Sequence, residues 1–307
     1  MATGKRARRK QFDLPAWLQL VRLPNLLSVP GDPWAGLALA GLANGTSPAV
    51  WRFVLVAVAS LCIYAAGLVL NDLHDEPVDK ERRPERPLPS GRIDRVAAAR
   101  FCSSLMALGV ICALPLGRPA LVTTAVLVAL VVAYNLQFKG HRVSASVCMG
   151  LCRGGSVLVG AAAAGSGFAP LVAAVGITVY IAAVTWMAVG ENRTQTLDRI
   201  LVVPVWAFAV AGGLVAVVTF RDVSFFAWLA GVGFLGWATH WGWRHGCELR
   251  NRPVPPERMQ PAIGGYIRNQ IPWQAGLLAL GGVPLLGAAL FALSPIARRL
   301  ARRYAES

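Results

Sequence analysis

The chain has 307 residues, 55% of them hydrophobic and only 15% charged, with a mean hydropathy of +0.53 and a formal net charge of +15. Soluble domains carry about 45–50% apolar and about 25% charged residues, so this composition excludes disorder, collagen and coiled coil and argues against a soluble globular enzyme. The positive charge is spread through short segments between apolar stretches, not gathered on one face or tail, so no nucleic-acid partner is expected. The expected fold class is all-α, a polytopic membrane helical bundle.

Residues 1–21 read as a basic cytoplasmic N-terminal tail, with Lys5, Arg6, Arg8, Arg9 and Lys10 ahead of Asp13 and Pro15. No apolar core follows the basic run directly, so it is not read as a signal peptide. It is suited to rest on anionic lipid. A spanning helix needs about 20 mostly apolar residues. Nine candidates lie near 24–44, 51–71, 94–116, 119–137, 144–166, 169–190, 200–220, 223–243 and 273–294. Together they form a single transmembrane domain over 22–296, followed by a basic tail over 297–307. Pro30, Asp32 and Pro33 interrupt the first candidate. A broken helix is tolerated at membrane depth only against protein or a water-filled cavity.

Lys and Arg accumulate in cytoplasmic loops. With the N-terminus inside, the segments after even-numbered helices carry Lys80, Arg82, Arg83, Arg86, Arg92, Arg95, Lys139, Arg142, Arg193, Arg199 and Arg250. The segments after odd-numbered helices carry only Arg52, Arg118 and Arg221. This asymmetry predicts a cytoplasmic N-terminus. Nine crossings then put Arg298, Arg299, Arg302 and Arg303 outside, against the same rule. The excess of arginine, 26 against 4 lysines, suggests GC-rich coding and a bacterial plasma membrane. The six cysteines form no CxxC pair and are expected to be small buried hydrophobes. The polar stretch 244–272, rich in Pro and Arg, is expected to be a loop, either a lid over the cytoplasmic cavity or a plain connector.

The acids carry the chemistry. Seven of the chain's 15 fall between residues 72 and 94. Asp72, Asp75 and Asp79 are spaced i, i+3, i+7, which places them on one helical face. Three crowded carboxylates repel one another, and a hard divalent cation relieves that. Mg²⁺ takes one or two carboxylates together with waters and substrate phosphates. The cluster, directly after an apolar span, is therefore a candidate platform for a Mg²⁺-bridged diphosphate. Pro77 threatens the geometry, because it removes a backbone donor and disfavours the helix at Glu76, leaving Asp79 less secure than Asp72 and Asp75.

The run Asn71, Asp72, Asp75 and Asp79, followed by Pro84-Glu85-Arg86-Pro87-Leu88-Pro89-Ser90-Gly91, resembles the NDxxDxxxD and PERPLPSG signature of the UbiA superfamily of intramembrane prenyltransferases. The resemblance implies a UbiA-like helical bundle of about nine transmembrane helices. It implies an enzyme that transfers a prenyl group from an isoprenyl diphosphate, with Mg²⁺ as cofactor, Asn71 with the three aspartates at the centre and Arg86 among the substrate contacts. Arg22 and Asn25 open the first span, where the family often has polar substrate contacts. Tyr134 and Lys139 resemble the family's Tyr-x-x-x-Lys pair with one extra residue between them. Lys139 or Arg142 is a candidate phosphate cation, or else an anchor at the membrane surface. Arg153 lies inside an apolar stretch, where an ionisable side chain is a functional hypothesis by default. It either faces a diphosphate or acceptor carboxylate, or pairs with an acid. The string Met149-Gly150-Leu151-Cys152-Arg153-Gly154 resembles the EboC-like subgroup.

The family's second acidic motif departs from type. Glu191 and Gln195 keep the i, i+4 spacing, but Gln195 is neutral, and the next acid is Asp198. Glu191 and Asp198 are the candidate ligands of a second Mg²⁺, one held more weakly because fewer charges surround it. Two readings follow. One is a Mg²⁺-dependent prenyltransferase acting on an aromatic or other small lipophilic acceptor within membrane lipid. The other is a non-catalytic protein of the same fold that binds or helps move a lipophilic metabolite.

Overall fold

The computed structural model of the chain describes residues 13–191, 193–250 and 253–304. The basic run Lys5–Lys10 lies outside them. The described residues fold as helices α1 (Leu14–Leu20), α2 (Leu23–Leu26), α3 (Gly31–Ala43), α4 (Val50–Arg82), α5 (Arg95–Ala113), α6 (Arg118–Ala133), α7 (Arg142–Ala162), α8 (Phe168–Ala188), α9 (Val202–Thr219), α10 (Phe225–Leu249), α11 (Pro256–Arg268), α12 (Gln270–Leu280), α13 (Pro284–Ala292) and α14 (Ser294–Tyr304). Among the described residues, six helices are long and apolar enough to cross a membrane, the ones built on α4 to α9. The 25-residue α10 is long enough, but its Trp, Gly and His residues lower its hydropathy.

The first and last predicted spans are not single helices. Gly31 begins α3 just after Pro30, and α3 has only 13 residues, almost all buried. It packs against α7, α8 and α12. The close approach to α7 depends on glycine. A Cβ on Gly36 would overlap the Val157 carbonyl, and one on Gly160 would overlap the Pro33 carbonyl. Small residues at such crossings let two backbones meet inside a membrane. A broken helix surrounded by protein meets the condition that its prolines and Asp32 impose.

Residues 273–294 form a hairpin. α12 is buried along its whole length. Gly282 then turns the chain in a left-handed conformation with φ +83°, and α13 runs back along α12, so that the Gly287 backbone faces Ala275 and Leu278. Consequently α14 returns to pack on α2 and α11. The C-terminal arginines thus lie at the end of the bundle that carries the acidic cluster, not the opposite one. Treating 273–294 as one crossing had produced the conflict with the positive-inside rule.

The described parts of both tails are helical. α1 lies within residues 1–21, started by Asp13, whose carboxylate accepts from the Ala16 amide at 3.0 Å, and by Pro15 in the first turn. The tail over 297–307 begins inside α14. The stretch 244–272 is not a loop either. α10 continues through Leu249, and α11 packs on α8, where Tyr180 Oη donates to the Tyr266 carbonyl at 2.7 Å. Beneath it, Phe208 stacks between Tyr180 and Trp273, with ring centroids 3.7 and 4.5 Å apart, at the centre of the core.

Candidate active site

The acidic cluster is carried by the last turns of α4, which runs unbroken through Pro77 to Arg82. Pro77 has no N–H to give to the Leu73 carbonyl. Arg95 Nη1, at the start of α5, donates to that carbonyl at 3.1 Å instead. Arg95 also forms an ion pair with Glu76, which Lys80 joins from the next turn at 2.9 Å. A side chain from a neighbouring helix thus supplies the bond that proline removes, and Asp79 stays in register with Asp72.

Every acid of the cluster meets a cation. Arg86 Nη1 lies 2.7 Å from Asp79 Oδ2 and 3.9 Å from Asp72 Oδ1. Arg22 Nη2 lies 3.5 Å from the same Asp72 oxygen, which also accepts from Asn71 Nδ2 at 3.4 Å. Asp75 pairs with Lys139, which also donates to Asn71 Oδ1 at 3.4 Å. Asp72 and Asp79 are buried, whereas Asp75 is half-exposed.

The loop carrying Arg86 is compact. Ser90 Oγ donates to the Arg86 carbonyl at 2.7 Å, and Leu88 and Ile93 bury themselves with Ala16 and Leu20 of α1. Arg92 fixes the loop to α1 by pairing with Asp13 at 2.8 Å. The hydrogen bond from Arg92, with that from the Ala16 amide, holds the Asp13 carboxyl below the usual carboxylate range. Arg22 sits between α1 and α2 with φ +47°, the one non-glycine residue with positive φ among the described residues. Such strain is held only where the surroundings fix it, and it is commonest at functional sites.

The one-residue excess between Tyr134 and Lys139 has a structural explanation. Tyr134–Phe138 form a π-helical turn, closed by the Lys139 amide donating to the Tyr134 carbonyl at 3.0 Å. A π turn takes up one extra residue and keeps i and i+5 on one face, and such turns are frequent at functional sites.

Below the cluster, a cavity of about 150 Å³ runs between α4, α6 and α7. Arg22, Asn71 and Tyr134 line one end, Ile63, Leu127 and Val131 its apolar wall, and Ser60, Ser156 and Arg153 the other end. Of the two alternatives for Arg153, the structure shows the acid partner. Arg153 Nη2 lies 2.8 Å from Asp32 Oδ2 and donates to Gln270 Oε1 at 2.5 Å, while Gln274 Nε2 donates to Asp32 Oδ1 at 2.6 Å. Arg153 Nε and Asn135 Oδ1 are buried without a hydrogen-bond partner, and both residues line the cavity. Asp32, Gln270 and Gln274 were not among the expected site residues. The signal available for Asp32 was an acid inside an apolar span.

Other expected residues are placed differently. Arg142 donates through Nε and Nη2 to the Trp186 carbonyl at 2.9 and 2.7 Å and to Gln195 Oε1 at 3.1 Å, so it braces the loop after α8. Asn25 acts through its backbone, its carbonyl accepting from Ser28 Oγ at 3.0 Å. Gln195 also donates to the Met187 carbonyl at 3.1 Å and pairs by its backbone with Val254. Glu191 is half-buried. Burial raises its pKa, and Arg83, Arg22 and Arg86 pull it back. Its carboxylate thus shares the arginines that face Asp72 and Asp79. The Asp198 side chain lies outside the described residues.

The donor set suits a hard cation, with one qualification. Among the described residues, no three acids, histidines or cysteines converge on a point that could hold a metal. The carboxylates are turned to basic side chains, but Asp72 and Asp79 flank a single guanidinium nitrogen. That nitrogen marks a position where two carboxylates share one cation, and oxygen donors of this kind are what Mg²⁺ takes.

Residues 33–245 match the UbiA prenyltransferase family. The chain is 38% identical over 111 residues to the digeranylgeranylglyceryl phosphate synthase of Sulfolobus acidocaldarius, covering 34% of this chain and 37% of that protein. It is 27% identical over 156 residues to the enzyme of the same name from Methanococcus maripaludis, covering 50% and 55%. The matched segments thus span about a third to a half of these relatives. A UbiA homologue from Archaeoglobus fulgidus bound to DMAPP and Mg²⁺ superposes with a TM-score of 0.60 at 17% identity, covering 90% of this chain and 99% of that one. The apo UbiA homologue from Aeropyrum pernix gives 0.58 at 16%, covering 81% and 96%. All these relatives are archaeal, so the bacterial inference from arginine bias finds no support in them. The family match, the shared fold and the apolar spans agree that this chain is an integral membrane protein belonging to the UbiA prenyltransferase family.

Proposed function

We propose that the protein transfers an isoprenyl group from an isoprenyl diphosphate to a lipophilic acceptor, with Mg²⁺ as cofactor. The observation that carries this reading is the single cationic position between Asp72 and Asp79, set beside the Asp75–Lys139 pair at the mouth of an apolar cavity. Asp72, Asp75 and Asp79, with Asn71, would hold the metal, and Glu191 and Asp198 are the candidate ligands of a second ion. When bound, Mg²⁺ neutralises the diphosphate oxygens and stabilises the leaving group.

The chain's own residues bind and orient. Arg22, Arg86 and Lys139 exchange their carboxylate partners for diphosphate oxygens, where their charge favours the departing anion. Tyr134, on the face of the π turn shared with Lys139, closes the mouth. The apolar wall takes the prenyl chain and keeps water from the carbon that becomes cationic. Arg142 and Asn25 act by bracing the mouth, and Arg153 orders the inner end of the cavity through Asp32. The end bearing the acidic cluster, both described chain ends and most loop arginines faces the cytoplasm.

For the acceptor, expected from sequence to be aromatic or another small lipophilic molecule, the names of the relatives support a glyceryl phosphate lipid over an aromatic ring. Turnover by the purified full chain separates these, using geranyl, farnesyl and geranylgeranyl diphosphates against prenylated glyceryl phosphate and aromatic acceptors. Mg²⁺-dependent product with the glyceryl phosphate, lost in Asp75→Ala, is the expected result. Product with the aromatic acceptor alone would overturn the acceptor assignment. The carrier reading draws on Gln195, a neutral residue at the second motif engaged in structural bonds. Metal-dependent diphosphate binding with no turnover on any acceptor would favour it.

A further inference from the structure

A second cavity lies away from the acidic cluster, between α10, α11, α13 and α14, with a volume of about 580 Å³. This is within the range of about 300–1,000 Å³ typical of ligand sites. Its two ends differ in chemistry. One is aromatic, where Trp237 approaches Phe291 with ring centroids 6.4 Å apart. The other is basic, lined by Arg268 of α11 and Arg298 of α14. Among the described residues, neither arginine has an ion-pair or hydrogen-bond partner, and the charge of Arg298 is felt at Arg268. His245 and Ser294 also line this end, and His245 Nε2 and Ser294 Oγ are buried with no hydrogen-bond partner. Glu257 is the one carboxylate in the lining.

Two unpaired guanidiniums close together repel each other, and a buried hydroxyl without a partner costs free energy. An anion with several acceptor oxygens relieves both. The aromatic end, where Trp237 is exposed, suits acyl chains below such an anion. Tryptophan at the boundary and arginine above it is the arrangement that meets a bilayer surface. We propose that this cavity binds the phosphate headgroup of an anionic membrane phospholipid, with Arg268 and Arg298 on the phosphate and Trp237 and Phe291 against the first methylenes. The site is separate from the diphosphate site and does not depend on the proposed reaction.

The test is native mass spectrometry of the full chain, released from mixed micelles holding equal amounts of phosphatidylglycerol and phosphatidylcholine. Wild type is expected to retain phosphatidylglycerol preferentially. Each arginine near a membrane surface contributes about 1 kcal/mol of attraction to anionic lipid, or about 5-fold in affinity. Arg298→Gln is therefore expected to reduce the preference about 5-fold, and Arg268→Gln with Arg298→Gln together to abolish it. Arg298 is exposed on α14, so its single variant keeps the test open if the double variant does not fold. Equal retention of the two lipids by wild type, or an unchanged preference in Arg298→Gln, would overturn the proposal. Displacement of phosphatidylglycerol by millimolar inorganic phosphate would also overturn it, because the site would then recognise the free ion.

Discussion

Pro77 and Arg95 show how one side chain keeps the acid-bearing helix intact. The Leu73 carbonyl, deprived of its amide partner by Pro77, accepts from Arg95. Leaving such an acceptor unsatisfied costs about 1–3 kcal/mol. Arg95→Ala is therefore expected to lower thermal stability and weaken metal-dependent diphosphate binding, because Asp79 loses its register. Pro77→Ala returns an amide to the same carbonyl, so the double variant is expected to recover much of the binding. Failure of Pro77→Ala to rescue would place the effect of Arg95 in its Glu76 ion pair instead. Asp72, Asp79 and Arg86 were legible in sequence because their spacing and signature are local. Arg95 was not, because its function lies in a bond to a backbone atom 22 residues away.

At the scale of elements, the π turn at Tyr134–Phe138 converts an irregular spacing into a shared face. Deleting Leu136 removes the extra residue, so the turn is expected to become α-helix with Tyr134 and Lys139 at i, i+4, still on one face. Activity should stay near wild type in the deletion and fall by about 100-fold in Lys139→Ala, the scale of losing one charge-stabilising group. A deletion as damaging as Lys139→Ala would show that the π turn itself is needed to hold Lys139 in place.

The network joining α3, α7 and α12 makes a second prediction. Asp32→Asn strands the buried Arg153 without its acid, and breaking one side of a buried pair costs about 3–5 kcal/mol. Asp32→Leu with Arg153→Met is expected to be markedly more stable than Asp32→Asn alone, as measured by detergent-phase melting. If the double variant were no more stable than the single one, the pair would not be coupled. Sequence marked Arg153 as an ionisable residue in an apolar span and Asp32 only as an interruption of one. It gave no indication that they meet, since they lie on helices separated by three other α-helices of the chain.

For the whole molecule, the decisive feature is the α12–α13 hairpin. Periodicity and hydropathy cannot distinguish two short helices from one spanning helix of the same total length, since both are apolar throughout. The Gly281-Gly282-Val283-Pro284 turn was the available signal, a helix stop followed by a helix start. The hairpin returns α14 to the end carrying the acidic cluster, so both chain ends should be on one side. Single cysteines introduced at Ala2 and Ala301 in a cysteine-free background are expected to react with a membrane-impermeant maleimide from the same face of sealed vesicles. Labelling from opposite faces would contradict the hairpin. The bundle itself was legible from composition, and the acidic site from one signature. The missing parts were tertiary pairings: a donor to a bereft carbonyl, a buried ion pair and a reversal of chain direction.

The most direct test of the central claim is Mg²⁺-dependent release of diphosphate from geranylgeranyl diphosphate by the full chain in lipid, in the presence of a prenylated glyceryl phosphate acceptor. The account predicts release that requires both Mg²⁺ and acceptor, is abolished in Asp75→Ala and is severely reduced in Arg86→Ala. Release that persists with Mg²⁺ chelated, or that is unchanged in both variants, would contradict it.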